Sequence, residues 1–479
     1  CSFVLTSLAP ILAEETTEGS VSQTTVVEET EEVPTTVAPE KKEETTQQKS
    51  TELSIEDEIF EITQRYGYDV SEYYRPESAI LVDAETGQIL YGDHIDKLWD
   101  PASTTKLMTA YLVYEAIKAG KITLDTKITA TELDRAISTI DDISNNQIRA
   151  GIEYPVRDLL YLMMYPSSNV AAVMLSHAIS QSNEEYIKMM NDKAKELGMT
   201  NSKFYNPSGA VVSAFRGLYT VEGVPDEYNQ TTARDLAKMV IALYKSHPEI
   251  TQYTRNSTLT VMSGTPYAQT IKNTNHSVQG DLLAYPGIIG LKTGTSERDG
   301  FNYIGIYQKD GVELLDIVLG VSEWTSAAGE YNRHKIGNAL LSYVLKQYEA
   351  QTLFNPGIQT IQGQKVNLDH AVKVFTEKGK TATYQIEGNQ LKVTTPQGTI
   401  YEQELTFSVE KEPDEAVEST YEETTTEASQ WIPKIIWNKT VHFIKKLPLL
   451  FWVFFFGIVL VFYVLRKFLK TSSKRNRRK

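Results

Sequence analysis

The sequence predicts an α+β domain with a mainly antiparallel sheet, followed by a small all-β region. Two observations carry this. An early strand pair, several helical stretches, three apolar β-like runs and a closing amphipathic helix succeed one another, the order expected of segregated strands and helices rather than of alternating βαβ units. After Asn355-Pro-Gly357 the pattern changes to short alternating runs parted by turn signals, as in small all-β regions.

Order is expected from about residue 55. Residues 1–13 read as the remnant of a signal peptide, ending at Ala13, with Cys1 as a lipid-bearing residue the alternative reading. Residues 14–54 are rich in Glu and Thr without apolar period, an expected disordered acidic spacer. Ser78 to Tyr91 reads as a β-hairpin turning at Glu85-Thr86-Gly87. Thr104 to Lys118 has a helical pattern ending at Gly120, and further helices are expected over about Val156–Met164, Val170–Ile179, Glu184–Leu197 and Thr232–Lys245. β-like runs follow at Gly287–Thr295, Asn302–Gln308 and Val312–Val321, then a helix over about Tyr331–Tyr348.

This gives an α+β domain over 55–352 and a β-rich domain over 353–410, with Lys365-Val-Asn-Leu and Leu391-Lys-Val-Thr-Thr among its runs. Residues 411–447 form an acidic tether and juxtamembrane segment. Pro448 to Leu465 is uncharged and apolar, and as a helix it is roughly 27 Å long, the thickness of a bilayer core. Trp431, Trp437 and Trp452 stand near its outer edge, and 466–479 is basic. The positive-inside rule then predicts a single-pass cell-membrane protein with a cytoplasmic tail and everything before the span outside.

The 479 residues carry a formal charge of −15, which argues against nucleic acid as a partner. Cys1 is the one cysteine, so no intrachain disulfide forms, and no Cys/His cluster has metal-ligand spacing. No metal or cofactor is expected.

Three short motifs carry the chemistry. In Pro101-Ala-Ser-Thr-Thr-Lys106, Ser103 stands at a helix start with Lys106 three residues on, on the same face. A serine hydroxyl needs a neighbour to take its proton, and lysine can do so once burial or nearby positive charge lowers its pKa. A helix cap is the plainer reading of Ser103 alone, and the same spacing recurs by chance at Ser408-Val-Glu-Lys411. Pro166-Ser-Ser-Asn169 supplies Ser167 and Asn169 between two helices, a hydroxyl for proton relay and an amide for hydrogen bonding; Ser144-Asn-Asn146 is a rival match in a polar stretch. Gly290-Leu-Lys-Thr-Gly-Thr295 ends a β-like run, with Lys292 as fixed charge, Thr293 as hydroxyl, and Gly294 allowing a ligand close to the backbone.

In this order the motifs resemble those of penicillin-binding proteins and serine β-lactamases. Asp100-Pro-Ala-Ser-Thr-Thr-Lys-Leu-Met-Thr-Ala110, Gly198-Met-Thr-Asn-Ser-Lys-Phe-Tyr-Asn-Pro-Ser-Gly209 and Lys272-Asn-Thr-Asn275 narrow the resemblance to the low-molecular-mass serine-type D-alanyl-D-alanine carboxypeptidases, over roughly 55–410. Ser168 fills a middle position that is often Gly in the family, and the full membrane span replaces the amphipathic helix of many relatives.

The resemblance implies the penicillin-binding/β-lactamase-like fold, Ser103 as nucleophile, Lys106 as general base, Ser167 as proton relay and Asn169 as an orienting amide. It implies Lys292, Thr293, Gly294 and Thr295 for binding substrate, with Arg333 a second partner for the terminal carboxylate or else an exposed helix charge. The oxyanion would rest on the backbone N–H groups of Ser103 and Thr295. The implied substrate is the peptidoglycan stem pentapeptide, shortened by its last D-Ala so that cross-linking is limited, with β-lactams as covalent inhibitors. A class A β-lactamase is disfavoured by the lack of a convincing Glu-x-x-Leu-Asn between Asn169 and Lys292. Endopeptidase or transpeptidase action on the same fold and a non-catalytic cell-wall scaffold remain the other readings.

Overall fold

The computed structural model describes residues 55–223 and 226–411. The expected signal-peptide remnant, acidic spacer, transmembrane helix and basic tail, and the tether beyond residue 411, lie outside them. Among the described residues no helix is long and apolar enough to cross a membrane.

The elements run α1 (Ile55–Arg65), β1 (Ser78–Asp83), β2 (Ile89–Asp93), α2 (Lys106–Lys118), β3 (Lys127–Thr129), α3 (Glu132–Ser138), β4 (Glu153–Pro155), α4 (Val156–Met164), α5 (Asn169–Ile179) and α6 (Asn183–Glu196). They continue with α7 (Ala233–Ser246), β5 (Thr258–Val261), β6 (Gln269–Lys272), β7 (Ile288–Ser296), β8 (Gly300–Lys309), β9 (Val312–Val321) and α8 (Ala327–Gln347). Then come β10 (Tyr348–Phe354), β11 (Gly357–Ile361), β12 (Gln364–Leu368), β13 (Val372–Glu377), β14 (Thr383–Glu387), β15 (Gln390–Thr394), β16 (Leu405–Ser408) and β17 (Glu410–Lys411).

The central sheet has the order β2-β1-β9-β8-β7, every neighbour antiparallel. Both of its faces are covered, which is why β1 is buried at all six positions. Ile80 and Val82 pack into the core with α2, α4, α5 and α7, while Ala79 and Leu81 face the other way, toward α1 and α8. Helix α2 is buried from Lys106 through Tyr114, so its sequence carries little amphipathic contrast.

The described residues divide into two compact units. One comprises those up to Asn355 together with His370–Ser408; in it β10 pairs with β13, and β14-β15-β16 form a small sheet. The other comprises Pro356–Asp369 and residues 409–411, with β11, β12 and β17 paired.

Candidate active site

Ser103 lies in a 3₁₀ turn, Ala102–Thr105, that leads directly into α2. The turn begins at Ala102, whose φ of 45° places a buried non-glycine residue in the left-handed region. Asp100 supports it by accepting the Ala102 N–H at 2.8 Å. Burial raises the Asp100 carboxyl to about 6.

Lys106 opens α2 with its side chain fully buried. Its ammonium nitrogen donates to Ser103 Oγ at 2.8 Å, Asn169 Oδ1 at 2.8 Å and the Ser208 carbonyl at 2.6 Å. Burial, reinforced by the charge of Lys292, holds its pKa well below that of an ordinary lysine. The amine is therefore positioned to exchange a proton with Ser103 Oγ.

Asn169 is the first residue of α5, capped by Ser168. Its amide also donates to the Ser144 carbonyl at 2.9 Å, and its backbone N–H reaches the same oxygen at 2.8 Å. The rival Ser144-Asn-Asn146 thus supports the Asn169 loop with its main chain, and Asn145 Oδ1 accepts the Val170 N–H. Ser167 has φ 66°, and its buried hydroxyl has no hydrogen-bond partner among the described residues. It shares the Asn169 loop, but no hydrogen bond joins it to Ser103 or Lys106.

Lys292, Thr293, Gly294 and Thr295 lie on β7, an edge strand of the central sheet. Lys292 is buried and donates to its neighbour's carbonyl, at Thr293. Burial, aided by Arg333, lowers its pKa to about 7. Thr293 Oγ1 meets Thr274 Oγ1 at 2.5 Å, and Thr274 N–H donates to the Tyr165 carbonyl, so the Lys272–Asn275 segment ties β7 to the Ser167 loop.

The role expected of Gly294 is enlarged by the structure. A Cβ there would stand 2.7 Å from the Pro101 carbonyl oxygen and 3.2 Å from Ser103 N. The Ser103 turn fills that space, so the glycine admits this turn against β7. Gly209, at φ 89°, does the same from the opposite side: a Cβ there would overlap the Ala102 carbonyl.

Arg333 is only 2 % exposed, so the surface-charge alternative does not hold. α8 begins at Ala327, four residues before the expected start, and Arg333 stands on its buried side with Ile336, Gly337 and Leu340. Its guanidinium donates to the Gly294 carbonyl at 2.9 Å and to Thr295 Oγ1 at 3.3 Å. Burial lowers its pKa to about 10. Two buried cationic side chains, Lys292 and Arg333, thus crowd one poorly solvated site, an arrangement suited to holding an anion. Ser103, Asn169 and Thr295 line a cleft of ≈ 710 Å³, bounded on other sides by Ser144, Tyr228 and Trp324. The second Ser-x-x-Lys copy falls in strands, Ser408 ending β16 and Lys411 ending β17, and has no helix to align it.

Sequence reasoning missed Ser208, whose carbonyl fixes Lys106, and Asn302, whose amide holds the Asp100 carbonyl at 2.9 Å. The run ending Asn206-Pro-Ser-Gly209 carried a signal for the first. Asn302 carried none, being one residue inside an apolar strand.

The chain is similar to D-alanyl-D-alanine carboxypeptidase DacF of Bacillus subtilis, with 27 % identity over 317 residues that cover 64 % of this chain and 74 % of the relative. A D-alanyl-D-alanine endopeptidase of Escherichia coli is 34 % identical over 207 residues, covering 43 % and 59 %. Among solved structures, a peptidoglycan synthesis regulatory factor (PBP3) from Streptococcus pneumoniae superposes with a TM-score of 0.60 at 24 % identity, covering 70 % of this chain and 98 % of that one, which shows the same fold. Residues 70–323, just over half of the chain, match the family model described as D-alanyl-D-alanine carboxypeptidase and contain all three motifs together with the 100–110, 198–209 and 272–275 runs. The chain belongs to the D-alanyl-D-alanine carboxypeptidase family.

Proposed function

We propose that the chain is a serine D-alanyl-D-alanine carboxypeptidase that acts through an acyl-enzyme. The observation that carries this reading is the buried Lys106 amine, 2.8 Å from Ser103 Oγ and fixed from two further sides by Asn169 and Ser208. With its pKa lowered, the amine takes the Ser103 proton as Oγ bonds to the carbonyl between the last two D-alanines of a stem peptide. The C–N bond then breaks, and the leaving amine takes a proton through Lys106 and Ser167. Water next attacks the ester, releasing the shortened peptide and restoring Ser103.

The N–H groups of Ser103 and Thr295 hold the oxyanion, and loss of one such donor typically costs about 10²–10³ in rate. Thr295, Arg333 and Lys292 hold the terminal carboxylate, consistent with the cations gathered there. A β-lactam, with a carbonyl and carboxylate in a similar relation, acylates Ser103 by the same first step.

The test is mass spectrometry of the protein after penicillin and after a defined pentapeptide. Acylation at Ser103 and release of one D-Ala are expected. Ser103→Ala should abolish both, and labelling that survives the change sinks the nucleophile assignment. The similarity to an endopeptidase favours a second reading, cleavage of cross-linked dimers, and the same experiment with a dimeric muropeptide separates the two.

Residues 448–465 are proposed to anchor the chain, supported by their uncharged composition and the basic 466–479 tail. A tag on the tail should resist external protease in intact cells while the catalytic domain is digested. Digestion of the tag would overturn the orientation.

A further inference from the structure

Asn302 sits on β8 beside an irregularity in the sheet. Phe301 pairs with Val321 and Tyr303 with Val318, so Leu319 and Gly320 together face the single residue Asn302. This is a β-bulge on β9, with Gly320 at φ 70°. A bulge leaves a backbone group without its ladder partner. Here the Gly320 N–H donates to Asn302 Oδ1 at 2.9 Å. That fixes the orientation of the amide and aims its Nδ2 across the sheet edge at the Asp100 carbonyl, also at 2.9 Å. Asn302 is fully buried, and its own carbonyl accepts from Arg333 at 3.3 Å. In the register of the sheet it faces Gly294 of β7. One residue therefore touches the turn that carries Ser103, the bulge behind the sheet, and the arginine at the carboxylate end of the cleft.

The turn it holds is strained. Ala102 is left-handed, and the segment is also fixed by the Asp100 carboxylate on Ala102 N–H, by Asp299 Oδ2 on Asp100 N–H at 3.1 Å, and by the Thr104 hydroxyl on the Pro101 carbonyl at 2.7 Å. None of these bonds refers the turn to the interior of β8. The Asn302 amide does.

We infer that Asn302 is a positioning residue for acylation: its amide sets the separation between the Ser103 turn and the strand that supplies Thr295. The inference rests on the reading of Ser103 as nucleophile.

The experiment uses the full chain with Asn302→Asp and Asn302→Leu, measuring acylation by a fluorescent penicillin across pH beside thermal melts. An ionised Asp at 302 still accepts from Gly320 but cannot donate to the Asp100 carbonyl. A protonated one donates again. Relative to wild type at the same pH, Asn302→Asp should acylate about 10²-fold more slowly in alkali, the scale of a misplacement near 1 Å, and recover most of that in mild acid. Asn302→Leu should stay slow at every pH. For both, the loss should fall on the acylation rate rather than on reversible binding. Wild-type rates in both variants overturn the inference, as does an Asn302→Asp defect that does not change with pH or that merely follows loss of folded protein. Ser103→Ala in the same assay tests the underlying reading separately, since labelling that survives there condemns the nucleophile whatever Asn302 does.

Discussion

Gly294→Ala adds a single methyl group at the contact between the Ser103 turn and β7. Gly294 does not have positive φ, so the substitution is opposed by space alone. The new Cβ would lie 2.7 Å from the Pro101 carbonyl oxygen, 3.2 Å from Ala102 Cβ and 3.2 Å from Ser103 N. All three belong to the turn, which is held by hydrogen bonds, and none is the free end of a flexible side chain. To restore ordinary contact the strand and turn must part by about 0.7 Å, a displacement that costs roughly 10–10² in rate when it separates groups that act on one reacting centre. It widens the gap between the Ser103 and Thr295 N–H groups, which must both lie near 3 Å from the developing oxyanion. Overpacking of this kind also destabilises by about 1–3 kcal/mol. The assay is the second-order rate of acylation by a fluorescent penicillin, read beside a thermal melt to correct for unfolded protein. Wild-type acylation by Gly294→Ala would refute the claim that this glycine exists for the approach of the Ser103 turn.

Lys106→Arg keeps a positive charge that cannot be removed near neutral pH, so acylation should fall to background, whereas in the wild type it should rise with pH as Lys106 loses its proton. Lys292 has a pKa of about 7, so KM for a carboxylate-bearing peptide should rise above that pH, and Lys292→Gln should flatten the profile at the higher KM. Arg333→Gln should raise KM more than it lowers kcat, because the lost charge acts on the bound carboxylate before and during reaction. Asp316 is fully buried with neither carboxylate oxygen hydrogen-bonded, and burial raises its pKa from 3.8 to about 8. Between these values the folded state holds a proton that the unfolded state releases, so stability falls as pH rises through that window. Asp316→Asn removes this titration and should stabilise the protein by a few kcal/mol above pH 8, with little gain near pH 4; an equal gain at both would contradict it.

How legible each part was follows from the range of the forces involved. The hairpin at Ser78 showed in sequence because a β-turn is local chemistry, and the structure pairs Leu81 with Tyr91 as that turn requires. The α7 start was readable from Thr232, whose side chain caps the helix by accepting from Asp235 N–H. The start of α2 was less so: its first turn is 3₁₀, bent by a left-handed Ala102 that only long-range contacts with Gly209 and Gly294 explain. Ser103, Lys106 and Asn169 were found by motif and meet through hydrogen bonds. Arg333 could not be assigned because α8 is buried around much of its circumference, polar Asn332, Arg333 and His334 included, so its sequence shows little contrast between a water face and a core face. Asn302 was invisible because its role depends on a two-against-one register with β9, which no single strand records.

The two glycines that flank Ala102 come from parts of the chain far apart in sequence, Gly209 from the segment after α6 and Gly294 from the edge of the sheet. The Ser103 turn is complete only when both have arrived. A chain whose sheet has formed but whose 198–209 segment has not docked, or the reverse, presents Ser103 without its shape. Covalent uptake of a β-lactam therefore counts assembled molecules, and its onset during refolding should coincide with the last of the two dockings rather than with the gain of helix or strand.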